Sequence, residues 1–155
     1  MIKFIIAGLL TSTVLASTAY ADFSEIGNFG TPANNPGAEE TSAEIIASTA
    51  DGMTLVYSDS PANALGMIDI TDPTNPLPLG SMDMGGEPTS VAIKNGQAFV
   101  GINTSPNYLE PSGHLVVVEL ASGTEVTRVE LGGQPDSVAV SPDGIFVAVA
   151  IENER

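Results

Sequence analysis

The chain has 155 residues, with 16 glycines, 11 prolines, no cysteine and no tryptophan. Four basic residues against 19 acidic ones give a formal net charge of −15, which repels nucleic-acid phosphates and anionic lipid and argues against both as partners. The lack of cysteine excludes disulfides, thiolate metal sites, thioether haem attachment and a cysteine nucleophile within this chain.

Residues 1–21 have the pattern of an export signal. Met1-Ile2-Lys3 is a short positive start, Phe4 to Ala16 is apolar, and Ala19-Tyr20-Ala21 fits the small-x-small cleavage rule. Thr11, Ser12 and Thr13 interrupt the apolar run, which falls short of the ~20 apolar residues a spanning helix needs. A periplasmic or extracellular protein is therefore expected, with no membrane insertion after cleavage. Loss of Lys3 leaves the mature chain more acidic still. The carboxylates are scattered, as on a solvated surface suited to a salty medium.

Residues 22–42 are rich in Gly, Pro, Asn and Glu and have the composition of a linker. Phe23, Ile26 and Phe29 stand out within them. They are expected to form a short strand of the kind that closes a propeller ring by joining its last blade.

Residues 43–155 are repetitive. Gly85-Gly86-Glu87-Pro88-Thr89-Ser90-Val91-Ala92-Ile93 returns as Gly132-Gly133-Gln134-Pro135-Asp136-Ser137-Val138-Ala139-Val140, an offset of 47 residues. The same offset carries Met84 onto Leu131 and Phe99 onto Phe146. A period of ~40–50 residues built from short strands predicts β-propeller blades. In the first unit the expected strands are Glu44–Ala47, Thr54–Tyr57, Gly66–Ile70 and Leu79–Met84. The central unit has Ser90–Ile93, Ala98–Ile102, His114–Leu120 and Glu125–Leu131. An Asn95-Gly96 turn joins its first pair, and a long loop from Asn103 to Gly113 joins its second. Ser137–Val140 and Ile145–Ile151 flank Ser141-Pro142-Asp143-Gly144 in the last unit. The fold class predicted is all-β, with about two and a half four-stranded antiparallel blades. A closed ring needs ~4–8 blades, so the ring is incomplete and the chain reads as the N-terminal part of a longer protein.

The Gln134–Gly144 stretch, followed by an apolar strand, resembles the YVTN and LVIVD classes of bacterial propeller repeat. Ile68-Asp69-Ile70-Thr71-Asp72-Pro73 is similar to the LVIVD strand with its Asp-Pro turn. A narrower resemblance covers nearly all the mature chain. It runs from the N-terminal Phe/Ile segment through Ala43-Glu44-Ile45-Ile46, Pro135-Asp136 and Pro142-Asp143-Gly144 to Glu152-Asn153-Glu154. That order resembles the secreted choice-of-anchor I proteins, often labelled esterase-like, phytase-like or alkaline phosphatase. The resemblance implies an exported, multi-blade propeller, sometimes surface-attached, and it assigns no catalytic residue to these positions.

In a propeller, the loop between the second and third strands and the link to the next blade share one face, where ligands gather. Asp59, Asn103, Glu152, Asn153 and Glu154 are expected there, joined by Glu87 and Asp136 from the inter-blade links. Oxygen ligands in such a ring suit calcium or magnesium. The competing reading is that loops on so acidic a chain are simply acidic, and no contiguous calcium-loop spacing is present. His114 is the only histidine and is expected to be a partly exposed strand residue. Gly85-Gly86 and Gly132-Gly133 read as inter-blade bends, since no helix follows them. No Gly-x-Ser-x-Gly elbow is present.

Two functions remain open on the sequence. One is an exported propeller that binds a protein, polymer or phosphate-ester ligand through its loop face. The other is a metal-dependent phosphoesterase, with calcium as cofactor, completed by the remaining blades.

Overall fold

A computed structural model describes residues 23–153; the expected export signal and Glu154 lie outside the described residues. Among the described residues ten strands follow one another. β1 (Ile46–Ser48), β2 (Thr54–Asp59), β3 (Ala64–Asp69) and β4 (Leu77–Asp83) form a first sheet, each paired antiparallel with the next. β5 (Glu87–Lys94), β6 (Gln97–Asn103), β7 (Gly113–Glu119) and β8 (Thr124–Glu130) form a second. β9 (Gln134–Val140) and β10 (Val147–Glu152) form a two-stranded hairpin. This is the predicted order of blades, with the strand boundaries shifted by a few residues.

Turn chemistry explains why each hairpin closes where it does. In the second sheet Lys94 pairs with Gln97, leaving Asn95 and Gly96 at φ 52° and 80°. Two left-handed residues in a two-residue turn match the twist of the flanking strands. The other two inner hairpins use a longer loop built twice over. Thr49 N donates to Thr54 O and Ser141 N to Phe146 O, both at 2.9 Å. Asp51 Oδ1 accepts from Met53 N at 3.0 Å, and Asp143 Oδ1 from Ile145 N at 3.1 Å. The repeat alignment needs one correction as a result. Ala92 faces Phe99 whereas Ala139 faces Ala148, so the longer turn makes Ala148 the counterpart of Phe99, and Phe146 lies in the turn.

Both later inner strands carry a bulge just after their proline. Pro88 faces Ile102 and Ser90 faces Gly101, which leaves Thr89 unpaired; Pro135 and Ser137 leave out Asp136 in the same way. A bulge re-aims the extra side chain. The preceding bends are glycine bends as expected, with Gly85 and Gly132 both at φ 67°, a region that L side chains avoid.

The sheets stack face to face. Val56 and Leu65 of the first, with Met84 just after its last strand, pack with Val91, Ala98, Val100, Ile102, Val116 and Val118 of the second as one buried cluster. The outer strands β4 and β8 are largely exposed. Between the second sheet and the hairpin, the buried Pro135 sits where a Cβ on Gly113 would run into its ring, and it also contacts Gly101.

Residues 23–42 contain one regular element, a 3-10 turn at Thr31–Ala33, and the expected strand at Phe23, Ile26 and Phe29 is not formed. A strand needs an edge to pair with. This segment instead lies across the face of the first sheet, where Ile26 and Phe29 border an apolar hollow with Ile46, Leu55 and Ile68. Asn34 pins it there. Its Nδ2 donates to Met67 O at 2.7 Å and Tyr57 Oη at 3.1 Å, and its Oδ1 accepts from Gly80 N at 2.9 Å. The β3–β4 register shifts between Met67 and Ile68, so the amide satisfies backbone groups beside that irregularity.

Candidate functional site: a cleft on the loop face

The structure distributes the sequence-predicted site residues unevenly. Asp59 is 1% exposed, and its Oδ1 accepts from Ser42 N at 2.9 Å. Tracing the ladder from Tyr57 opposite Ile46 and from Val91 opposite Val100 makes Ser60, not Asp59, the counterpart of Asn103. In a pleated strand a one-residue offset turns a side chain to the other face. Asp59 therefore faces inward, and its charge, after burial, helps raise the Tyr57 phenol above its ordinary value. Asp136 and Glu152 are exposed, at the bulge and at the end of the last hairpin. Asn153 Oδ1 accepts from Gln134 N at 3.2 Å. Among the described residues no three His, Asp or Glu side chains are grouped closely enough to hold a metal ion.

Asn103 and Glu87 are brought together. They face one another across β5 and β6, and Asn103 Nδ2 donates to Glu87 Oε2 at 2.8 Å. Asn103 Oδ1 accepts from Ser105 N at 3.0 Å, which starts the β6–β7 loop. The loop's neck is closed by Ser105 and Ser112: Ser112 N donates to Ser105 Oγ at 2.9 Å, and Ser105 Oγ to Ser112 O at 3.1 Å. At the tip, Asn107 Oδ1 accepts from Leu109 N at 2.9 Å and Glu110 N at 3.1 Å, an Asx turn. The loop is thus shaped by its own hydrogen bonds.

Glu87, Asn103, Ser105, Asn107, Tyr108 and Gln134 line an open cleft of about 400 Å3. It lies on the expected loop face and spans the second sheet and the hairpin. Tyr108 is 74% exposed, so much of its ring is accessible to solvent. The sequence reading named Asn103 and Glu87 but passed over Tyr108, Asn107 and Gln134. The available signal was the length of the Asn103–Gly113 connection against the short Ser60–Asn63 connection at the same place in the first sheet.

His114 is buried at 5% exposure rather than partly exposed. Its cross-strand partner is Ile102, so it lies on the face turned to the first sheet. Burial, with a smaller contribution from the Arg128 charge, holds its pKa below the ordinary value. Its Nε2 has no hydrogen-bond partner among the described residues. An imidazole enclosed in a sheet junction cannot act on an outside substrate.

Consecutive antiparallel sheets of up to four strands, stacked face to face in chain order, define a β-propeller-like repeat protein. The chain belongs to the choice-of-anchor I domain family, whose model matches residues 44–155. A choice-of-anchor domain marks a cell-surface or secreted protein, and among the described residues no helix is long and apolar enough to cross a membrane. Among solved structures, Kuenenia stuttgartiensis hydrazine synthase is similar at 18% identity and a TM-score of 0.60, over 72% of this chain and 30% of that one. A functionally unknown protein from Desulfotomaculum acetoxidans is similar at 14% identity and a TM-score of 0.54, over 68% of this chain and 31% of that one. These likenesses concern the fold. The chain spans about a third of either structure. No curated protein matches the sequence.

Proposed function

We propose that the chain is the ligand-binding part of an exported β-propeller and engages its ligand in the loop-face cleft beside Asn103. The observation that carries this reading is the cleft itself. Its floor is the ends of β5, β6 and β9, its wall is a loop held by its own hydrogen bonds, and its polar groups converge on one space. Preformed concave sites with a few placed polar groups are where small ligands bind. The test is a thermal-shift screen of cell-envelope polymers, peptides and phosphate esters against the wild-type chain and Asn103→Ala. A ligand that raises Tm in the wild type and fails to do so in the variant supports the reading. Ligands that stabilise both equally overturn it.

The second reading, a calcium-dependent phosphoesterase completed by further blades, draws on one observation. Asp136 and Glu152 occupy the last hairpin's counterparts of Thr89 and Asn103, so this end of the molecule presents two exposed carboxylates where the second sheet has neutral groups. Hydrolysis of a chromogenic phosphate ester by the longer protein, with and without calcium, tests it. Absence of calcium-dependent turnover rejects it. In either reading the open face of the β9–β10 hairpin is where the remaining blades pack.

A further inference from the structure

The lining of the cleft restricts the chemistry of what fits. No basic side chain contributes to it, and the chain's net charge of −15 opposes anions. Glu87 is its only carboxylate, and Oε2 of that group already accepts from Asn103, so the cleft supplies little of the negative charge that a tight calcium site needs. The remaining polar groups are neutral. The Gln134 amide and the Tyr108 hydroxyl can both donate and accept. Asn103 keeps one N–H and one lone pair beyond its bonds to Glu87 and Ser105, and Asn107 keeps one N–H beyond its bond to Glu110, whereas the Ser105 proton is used in the neck of the loop. Beside them stands the 74% exposed Tyr108, an apolar ring face with a polar tip.

A ligand that matches both features needs a rim of hydroxyls, each able to donate and accept, and a flat C–H face to lie on the ring. We infer that the cleft takes a neutral saccharide, with a sugar ring on Tyr108 and its hydroxyls hydrogen-bonded to the amides and to Glu87. This rests on the reading of the cleft as the binding site and gives that site its ligand class. Aromatic residues make up only 5% of the chain, but one exposed ring lining the cleft is sufficient for one sugar.

The experiment is an NMR titration of the isotope-labelled chain with maltotriose, cellotriose, xylotriose and chitotriose. The expected result is saturable shifts at Gln134, Asn103 and the Tyr108 ring with at least one of the four. Tyr108→Ala should weaken that binding by about tenfold or more, and Tyr108→Phe, which keeps the ring face, should retain most of it. Tyr108 is too exposed for either change to threaten the fold. Failure of all four to shift these resonances overturns the saccharide inference. If a peptide or divalent calcium then shifts the same resonances, the cleft stands as the site and only the ligand class falls. If ligands bind but perturb other surfaces, both fall.

Discussion

The two sheet-to-sheet junctions meet the same requirement with different side chains. At the first, the Ser60 hydroxyl is shared between Pro88 O at 3.0 Å and Glu44 Oε2 at 2.7 Å. At the second, Thr89 Oγ1 donates to Pro135 O at 2.8 Å. These donors come from different places, Ser60 from the end of the second strand and Thr89 from the bulge of the first. Their counterparts are swapped for groups with other tasks, since Asn103 replaces Ser60 and turns to Glu87 in the cleft. The junctions also differ in substance. The first buries a broad aliphatic cluster, including Leu65 at 0% exposure. The second relies on Pro135 lodged against Gly101 and Gly113, and on Val138 N donating to Ser90 Oγ at 3.1 Å. What repeats is the proline carbonyl and the glycine bend. The donor can move, and moving it to the bulge frees the loop-face position for function.

The largest expected effect breaks the first junction. Leu65→Ala removes a fully buried side chain and should cost about 2–5 kcal/mol in urea unfolding. Gly113→Ala attacks the second junction, where the new methyl meets the Pro135 ring and the carbonyls of Ile102 and Gly133. It should cost about 1–3 kcal/mol by overpacking. If either change altered only one phase of a biphasic transition, the junctions would be unfolding separately. Coincident loss in both variants would show one cooperative unit. Thr89→Val keeps the shape but removes the donor to Pro135 O and should cost about 1 kcal/mol. Ser60→Ala should cost a similar amount, and the double variant should depart from additivity, because Pro88 O, which accepts from Ser60, belongs to the peptide unit that carries Thr89.

The smallest effect depends on pH and belongs to the first junction. Burial lowers the folded-state pKa of His114 from 6.5, so the unfolded chain binds more protons just below that value. The contribution is therefore fully present above pH 6.5 and is lost as pH falls from there toward the lowered folded value. His114→Gln should flatten this slope, as read from urea midpoints across the same range. A slope unchanged in the variant would place the acid sensitivity elsewhere.

Much of the fold was legible because its determinants are local. Asn95-Gly96 and the Pro142-Asp143-Gly144 turn write their geometry into adjacent residues, and the unbroken apolar run from Leu115 to Val118 was enough to mark a strand. Equivalence between strands was harder to read. The offset that aligns Pro88 with Pro135 misaligns Phe99 with Phe146, because two extra turn residues change the register after the turn without disturbing the motif before it. Asp59 went astray for a related reason. It is one residue from the loop-face position held by Ser60, and in a strand one residue separates the two faces. Of the candidate site, Asn103 and Glu87 were within reach because they end paired strands. Tyr108 was not, since its place depends on how the Ser105–Ser112 neck folds the loop back.

The sequence by itself determined a repeat of short strands, the bends between them, the acidic surface and the face on which a site would form. These follow from local φ/ψ preferences, periodicity and charge, which need no knowledge of distant contacts. Only the tertiary structure decided which polar residues meet. Bulges, turn lengths and side-chain hydrogen bonds across the ladder turned Asp59 inward, enclosed His114 between sheets, and brought Asn103, Tyr108 and Gln134 to one cleft. Those outcomes depend on register and packing between residues far apart in the chain, where a shift of a single position exchanges buried for exposed.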